Sequence, residues 1–90
     1  MNAQALSAHV LQALARAQSE ARPMNLETLT QALRVRRTDV RRAITVLHRQ
    51  GYVDALHMRL TLAGFAIGRA LLDQSLPALR VPAVSAVVAA

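Results

Sequence analysis

Between Gln4 and Glu20 the apolar residues Leu6, Val10, Leu11, Leu14 and Ala17 recur at steps of three and four. That is the period of an amphipathic helix with one buried stripe, and the spacing predicts a first helix there. Arg22-Pro23-Met24 interrupts it, because proline cannot continue the backbone ladder. Asn25 then stands where an N-cap belongs, with Glu27 in the first turn to favour the helix dipole. A second helix is expected to about Leu33, burying Leu26, Leu29, Ala32 and Leu33. The short connection Arg34-Val35-Arg36-Arg37 leads to Thr38, a second candidate N-cap, followed at once by Asp39. The third helix is expected over Asp39–Gln50, with Gly51 suited to a left-handed stop just beyond it. Its wheel divides in two. Val40, Ala43, Ile44 and Leu47 form a stripe to be buried, and Thr38, Arg42, Thr45 and Arg49 form a polar stripe on the other side, flanked by Arg41 and His48.

After Gly51 the period changes to alternation, which indicates a hairpin. In its self-consistent register Val53 lies opposite Leu60, Asp54 opposite Arg59 and Tyr52 opposite Thr61, with Leu56-His57 at the tip. The tip has no Gly or Asn for a tight primed turn, so a short or irregular hairpin is expected. Thr61 can cap a fourth helix from Leu62 to about Leu76, which Gly64 and Gly68 weaken by roughly 1 kcal/mol each and Pro77 ends. The fold class is therefore mainly α with a small β-hairpin. One domain is expected over residues 1–76, followed by an apolar tail over 77–90 whose valines, Val81, Val84, Val87 and Val88, a monomer of this size would leave exposed.

Composition adds a charge argument. The chain of 90 residues has one Phe, one Tyr and no Trp, so its core is aliphatic. The formal net charge is +6 and every basic residue is Arg, whose planar fork suits phosphate oxygens and the guanine edge. Residues 34–50 hold six of the eleven Arg against a single Asp, whereas residues 1–33 hold two Arg and two Glu. A solvated face would mix the two signs, and this segment does not. Without Cys, disulfides and thiolate metal ligands are excluded. The chain shows no signal-like start and no apolar run long enough to cross a bilayer, so a cytoplasmic location is expected.

Three helices and a hairpin, with the third helix basic on its outer side, form the arrangement in which one helix enters the major groove and the hairpin rests on flanking backbone. The outer stripe from Thr38 to Arg49 spans roughly 16 Å, comparable with the groove. By chemistry, Arg42 and Arg49 can offer paired donors to guanine, and Thr38 and Thr45 can meet bases or the thymine methyl. Arg36, Arg37 and Arg41 suit phosphates, and Arg59 is a hairpin candidate. The run from Leu29 to Ile44, then Leu47, Gly51-Tyr52-Val53 and Arg59-Leu60-Thr61-Leu62-Ala63-Gly64, resembles the winged helix-turn-helix superfamily of bacterial regulators. Members of the multiple-antibiotic-resistance regulator type and several phage or plasmid repressors are similar at this level. The resemblance covers roughly residues 5–75. It implies a three-helix core, a short wing, a C-terminal helix and a recognition helix at about 38–50 that contacts double-stranded DNA. The chain departs from that pattern at Arg34, where such turns often carry Gly, and at Thr30, where the supporting helix often carries Ala. A non-Gly residue in a left-handed position carries strain.

Nothing else in the sequence carries chemistry. His9, His48 and His57 are not spaced as metal ligands, the serines lie in no nucleophile motif, and the five acids form no catalytic pair. No enzyme, no cofactor and no metal site is expected, and no small-molecule effector can be identified. The expected function is that of a sequence-specific, DNA-binding transcriptional regulator or repressor, acting as a homodimer through the apolar tail. The competing expectation is a winged helix used as a protein-interaction module that meets an acidic partner through its arginines. Single-stranded RNA recognition is disfavoured, because Tyr52 and Phe65 are the only aromatic residues for stacking.

Overall fold

The first helix begins where Asn2 turns its side chain back onto the chain: Oδ1 accepts from the amides of Gln4 at 2.8 Å and Ala5 at 3.3 Å. In the computed structural model, which describes residues 2–79, helix α1 spans Ala3–Ser19. It buries Leu6, Val10, Leu11, Leu14, Ala15 and Ala17. It stops on Ala21, which takes a left-handed conformation at φ 54° and lets the Arg22 amide reach back to the Ala17 carbonyl at 2.8 Å. Asn25 caps helix α2, Leu26–Leu33, accepting from the Thr28 amide at 2.8 Å. Of the apolar residues assigned to its buried side only Leu29 is fully buried; Leu26 and Leu33 are half-buried and Ala32 is exposed. At eight residues the helix makes little more than two turns, and it packs against α1 and α3.

Helix α3 spans Arg37–Arg49 and buries Val40, Ala43, Ile44 and Leu47, the stripe set by its period. Its N-cap is Arg36 and not Thr38, and no side chain caps it. The amides of Asp39 and Val40 both turn to the Arg36 carbonyl at 3.1 Å, which starts the helix two residues earlier than a threonine cap would. Gly51, at φ 82°, ends the helix in the left-handed turn expected of it, and the Tyr52 amide bonds the Leu47 carbonyl at 3.0 Å. Strands β1, Val53–Asp54, and β2, Arg59–Leu60, pair antiparallel with Val53 opposite Leu60 and Asp54 opposite Arg59.

Helix α4, Leu62–Leu71, is capped by Thr61, whose Oγ1 accepts from the Gly64 amide at 3.1 Å. It ends at Leu71 and not near Leu76, because α1 draws the chain off. The Gln12 amide group donates to the carbonyls of Leu71 at 2.7 Å and Gln74 at 3.1 Å, and His9 Nε2 donates to the Pro77 carbonyl at 2.6 Å. Gly64 and Gly68, treated in the sequence as weak points, are the two buried residues of α4 and set its distance from its neighbours. A Cβ on Gly64 would lie 1.8 Å from the Tyr52 carbonyl oxygen, and one on Gly68 would lie 2.6 Å from that of Leu11. Among the described residues the architecture is thus four helices and a small two-stranded antiparallel sheet, with α1 packed against α2, α3, α4 and β2. Val10, Leu14, Leu29, Val40, Leu47 and Val53 form the best-buried part of the core. Of the apolar tail only Pro77, Ala78 and Leu79 are described; Val81, Val84, Val87 and Val88 lie outside the described residues.

Candidate nucleic-acid interface

The separation of stripes on α3 governs the site. Val40 and Leu47, 0% and 2% exposed, anchor the helix from behind. On the other side Arg36, Arg37, Thr38, Arg41, Arg42, Thr45 and Arg49 are all exposed, as is Arg59 on β2. Among the described residues the ion pairs are Arg22 with Glu20 and His57 with Asp54. None of the six arginines in that set joins either, so their charge is directed at solvent. Asp39, the one acid of the segment, is half-buried at the α1 edge of the helix. There it shares a cleft of about 170 Å³ with Arg42, Val46 and the start of α1, which sets Arg42 on the margin of the stripe. Thr45 Oγ1 donates to the Arg41 carbonyl at 2.9 Å, so its hydroxyl hydrogen is used within the helix and its methyl group and lone pairs remain. Val46, 40% exposed, adds an apolar position that the sequence reading passed over.

Two further features come from contacts across the chain. His48 Nδ1 accepts from the Ala55 amide at 3.2 Å and lies 3.1 Å from the Val53 carbonyl, which ties the base of the hairpin to α3. No periodicity marks a histidine for that role, because its partners are backbone groups. The hairpin tip is organised by Asp54, whose Oδ1 accepts from the amides of Leu56 at 3.1 Å and His57 at 3.4 Å while Oδ2 meets His57 Nδ1 at 2.7 Å. An aspartate side chain and a left-handed Met58, φ 51°, thus replace the missing Gly or Asn. The His57 hydrogen bond is the main reason that the Asp54 carboxyl is held below its ordinary value. The register places Arg59 opposite Asp54 as expected, but the carboxylate is taken by His57 and the expected cross-strand charge pair is not made.

Arg34 occupies the left-handed position at the end of α2, φ 56° and ψ 46°, so the strain expected for a non-Gly residue falls at the turn before α3. Against protein-family models, curated proteins and solved structures the chain has no match. The geometry therefore speaks for itself. Among the described residues no three His, Cys, Asp or Glu come together as a metal site, and no helix is long and apolar enough to cross a membrane.

Proposed function

We propose that the chain is a winged helix-turn-helix protein that binds double-stranded DNA as a transcriptional regulator, with α2 and α3 as the helix-turn-helix and the β1–β2 hairpin as the wing. The observation that carries this reading is the outer side of α3: an exposed set of arginines and threonines with no ion-pair partner among the described residues, on a helix whose other side is anchored in the core. A helix about 10–12 Å across with its side chains fits the major groove, which is about 12 Å wide. Arg42 and Arg49 are assigned to bases, together with Thr38 and the methyl groups of Thr45 and Val46. Arg36, Arg37 and Arg41 are assigned to phosphates, and Arg59 to the flanking backbone reached by the wing. A homodimer would present two such helices to half-sites about 34 Å apart.

Selection from random DNA followed by a salt titration of the best site tests this. Each phosphate neutralised contributes about −0.9 to the slope of log K against log salt, so Arg37→Ala should reduce the slope by about one and weaken all sites alike. Arg42→Ala should cost about 1–3 kcal/mol at one base pair and relax the preference there. Selection that yields no preferred sequence, with both variants binding as the parent does, would refute the assignment. Retention of an acidic protein in place of DNA would favour the interaction-module reading.

A further inference from the structure

Where α1 gives way to the Arg22-Pro23-Met24 turn, that turn and the hairpin tip flank an open cavity of about 250 Å³. Leu14, Met24 and Met58 give it an apolar side, and Arg22, Arg59, Gln18 and His57, the last bonded to Asp54 outside the cavity, supply its polar lining. No carboxylate lines it. Two arginines 37 positions apart in sequence thus converge on one concave site without an acid between them. Arg59 has lost its cross-strand acid to His57, and Arg22 meets Glu20 through Nε alone in a pair whose side chains are half exposed. Such a solvent-screened pair contributes little and exchanges readily for a second carboxylate. Gln18 spends its Oε1 on the Leu60 amide at 2.6 Å, which leaves its NH₂ as the donor.

We propose that this cavity binds a small organic carboxylate with a compact aliphatic body. The anionic end pairs with the Arg22 and Arg59 guanidinium groups, which can grip both carboxylate oxygens, and the body rests on the two thioethers, side chains that adapt to irregular shapes. The volume equals that of about eight waters, enough for such an acid. Occupation joins the hairpin to the end of α1 and neutralises Arg59. On the DNA-binding reading, on which this last step rests, an occupied cavity removes the wing's phosphate contact and lowers affinity for DNA.

The three methionines, Met1, Met24 and Met58, provide the test. With the full chain labelled at the methionine methyl carbons, cyclohexanecarboxylate should shift the Met24 and Met58 signals saturably, with a Kd on the order of millimolar, and leave Met1 unmoved. Cyclohexylmethanol, the neutral analogue, should bind at least tenfold more weakly. The double variant Arg22→Gln/Arg59→Gln should lose at least tenfold in carboxylate affinity, whereas Arg69→Gln, an exposed arginine that does not line the cavity, should keep it. Absence of a saturable shift at both cavity methionines, equal binding of acid and alcohol, or an unchanged affinity in the double variant would each overturn the site. Because the titration contains no DNA, its outcome is independent of whether the chain binds DNA at all. At saturating carboxylate, a several-fold fall in DNA affinity for the parent and none for Arg59→Gln is the expected coupling, and equal falls would overturn it.

Discussion

Alanine in place of Gly64 separates two opposed expectations. By propensity alone Gly64→Ala in the first turn of α4 should stabilise the chain by up to about 1 kcal/mol, since alanine is the better helix former by that amount. The structure reverses the sign. The added Cβ would sit 1.8 Å from the Tyr52 carbonyl oxygen, 2.7 Å from its carbon and 3.1 Å from its Cα, all backbone atoms that no rotamer change can clear. Relief requires α4 to move away by more than an ångström, and the same carbonyl accepts the Thr61 amide at 3.0 Å, the bond that closes the base of the hairpin. Overpacking of this kind costs typically 1–3 kcal/mol, and a strained or lost hydrogen bond costs about 1 kcal/mol more. Net of the propensity gain, Gly64→Ala should destabilise by about 2 kcal/mol. For a domain of this size that lowers Tm by roughly 8–16 °C. Urea and thermal unfolding followed by circular dichroism measure it, with Ala63→Gly on the exposed side of the same helix as the control for propensity, expected to lose about 1 kcal/mol. A Gly64→Ala protein as stable as the parent or more so would show that α4 does not lie against Tyr52, and the packing argument would fall with it.

Three other perturbations address the turns and the hairpin. The Asp54 carboxyl is lowered in the folded chain, so its contribution to stability is present above its unfolded value near 3.8 and is lost as pH falls through the folded value. Asp54→Asn retains an acceptor for the Leu56 and His57 amides, and denaturant titrations should show a smaller loss of stability below about pH 4 than in the parent; an identical loss would contradict the pairing. His48→Ala removes the acceptor for the Ala55 amide and should cost about 1 kcal/mol. Hydrogen exchange should quicken at Ala55 while the α1 core amides keep their order of protection, and unchanged exchange at Ala55 would deny the tie between helix and hairpin. Ala21→Gly relieves a left-handed alanine, a gain of about 1–2 kcal/mol, against about 0.4–1 kcal/mol of unfolded-state entropy. The variant should therefore be slightly more stable in urea, and a clear loss would count against the α1 stop.

The legible parts of this fold are those in which a local pattern and the tertiary environment agree. The α3 stripe of Val40, Ala43, Ile44 and Leu47 and the hairpin register of Val53 with Leu60 follow from periodicity, because a slip in either would turn every apolar side chain to water. Most of the residues misjudged are decided by distant groups, and Asp54 by a nearby one. Helix α4 stops at Leu71 because Gln12 and His9, both on α1, bond the following carbonyls, and neither residue announces this in its own segment. Gly64 and Gly68 read as helix weaknesses until the backbone on the other side is known. Asp54 was matched with Arg59 by register, yet His57 is three residues away on the same turn and reaches it first. The outer side of α3 was legible as a set of residues. The division within it was not: Arg42 at the cleft beside α1, Thr45 bonded to its own helix, Val46 exposed between them.

The start of α3 combines one favourable acid, Asp39 in its first turn, with several residues that disfavour an isolated helix. Arg36 is its N-cap and Arg37 its first residue, placed where the helix dipole is positive and where acids are favoured; Arg37 and Arg41 add a like-charge pair one turn apart. Arg36 also offers no side-chain acceptor to the free amides, a position at which Ser, Thr, Asp or Asn is preferred. Each of these choices works against the isolated helix, and all of them favour a bound phosphate, which supplies both the acceptor and the negative charge. Arg36→Ser reverses the balance. It provides the missing cap, about 0.5–2 kcal/mol, and removes a cation from the wrong end, about 0.3–1 kcal/mol, so the variant should be more stable by about 1–3 kcal/mol in urea. If α3 meets DNA through its N-terminal turn, the same variant should bind its preferred site more weakly and with a shallower salt dependence. Opposite movements of stability and affinity are what a site selected for a polyanion requires. A variant that gains stability and loses no affinity would mean that the arginines at the start of α3 serve some other end.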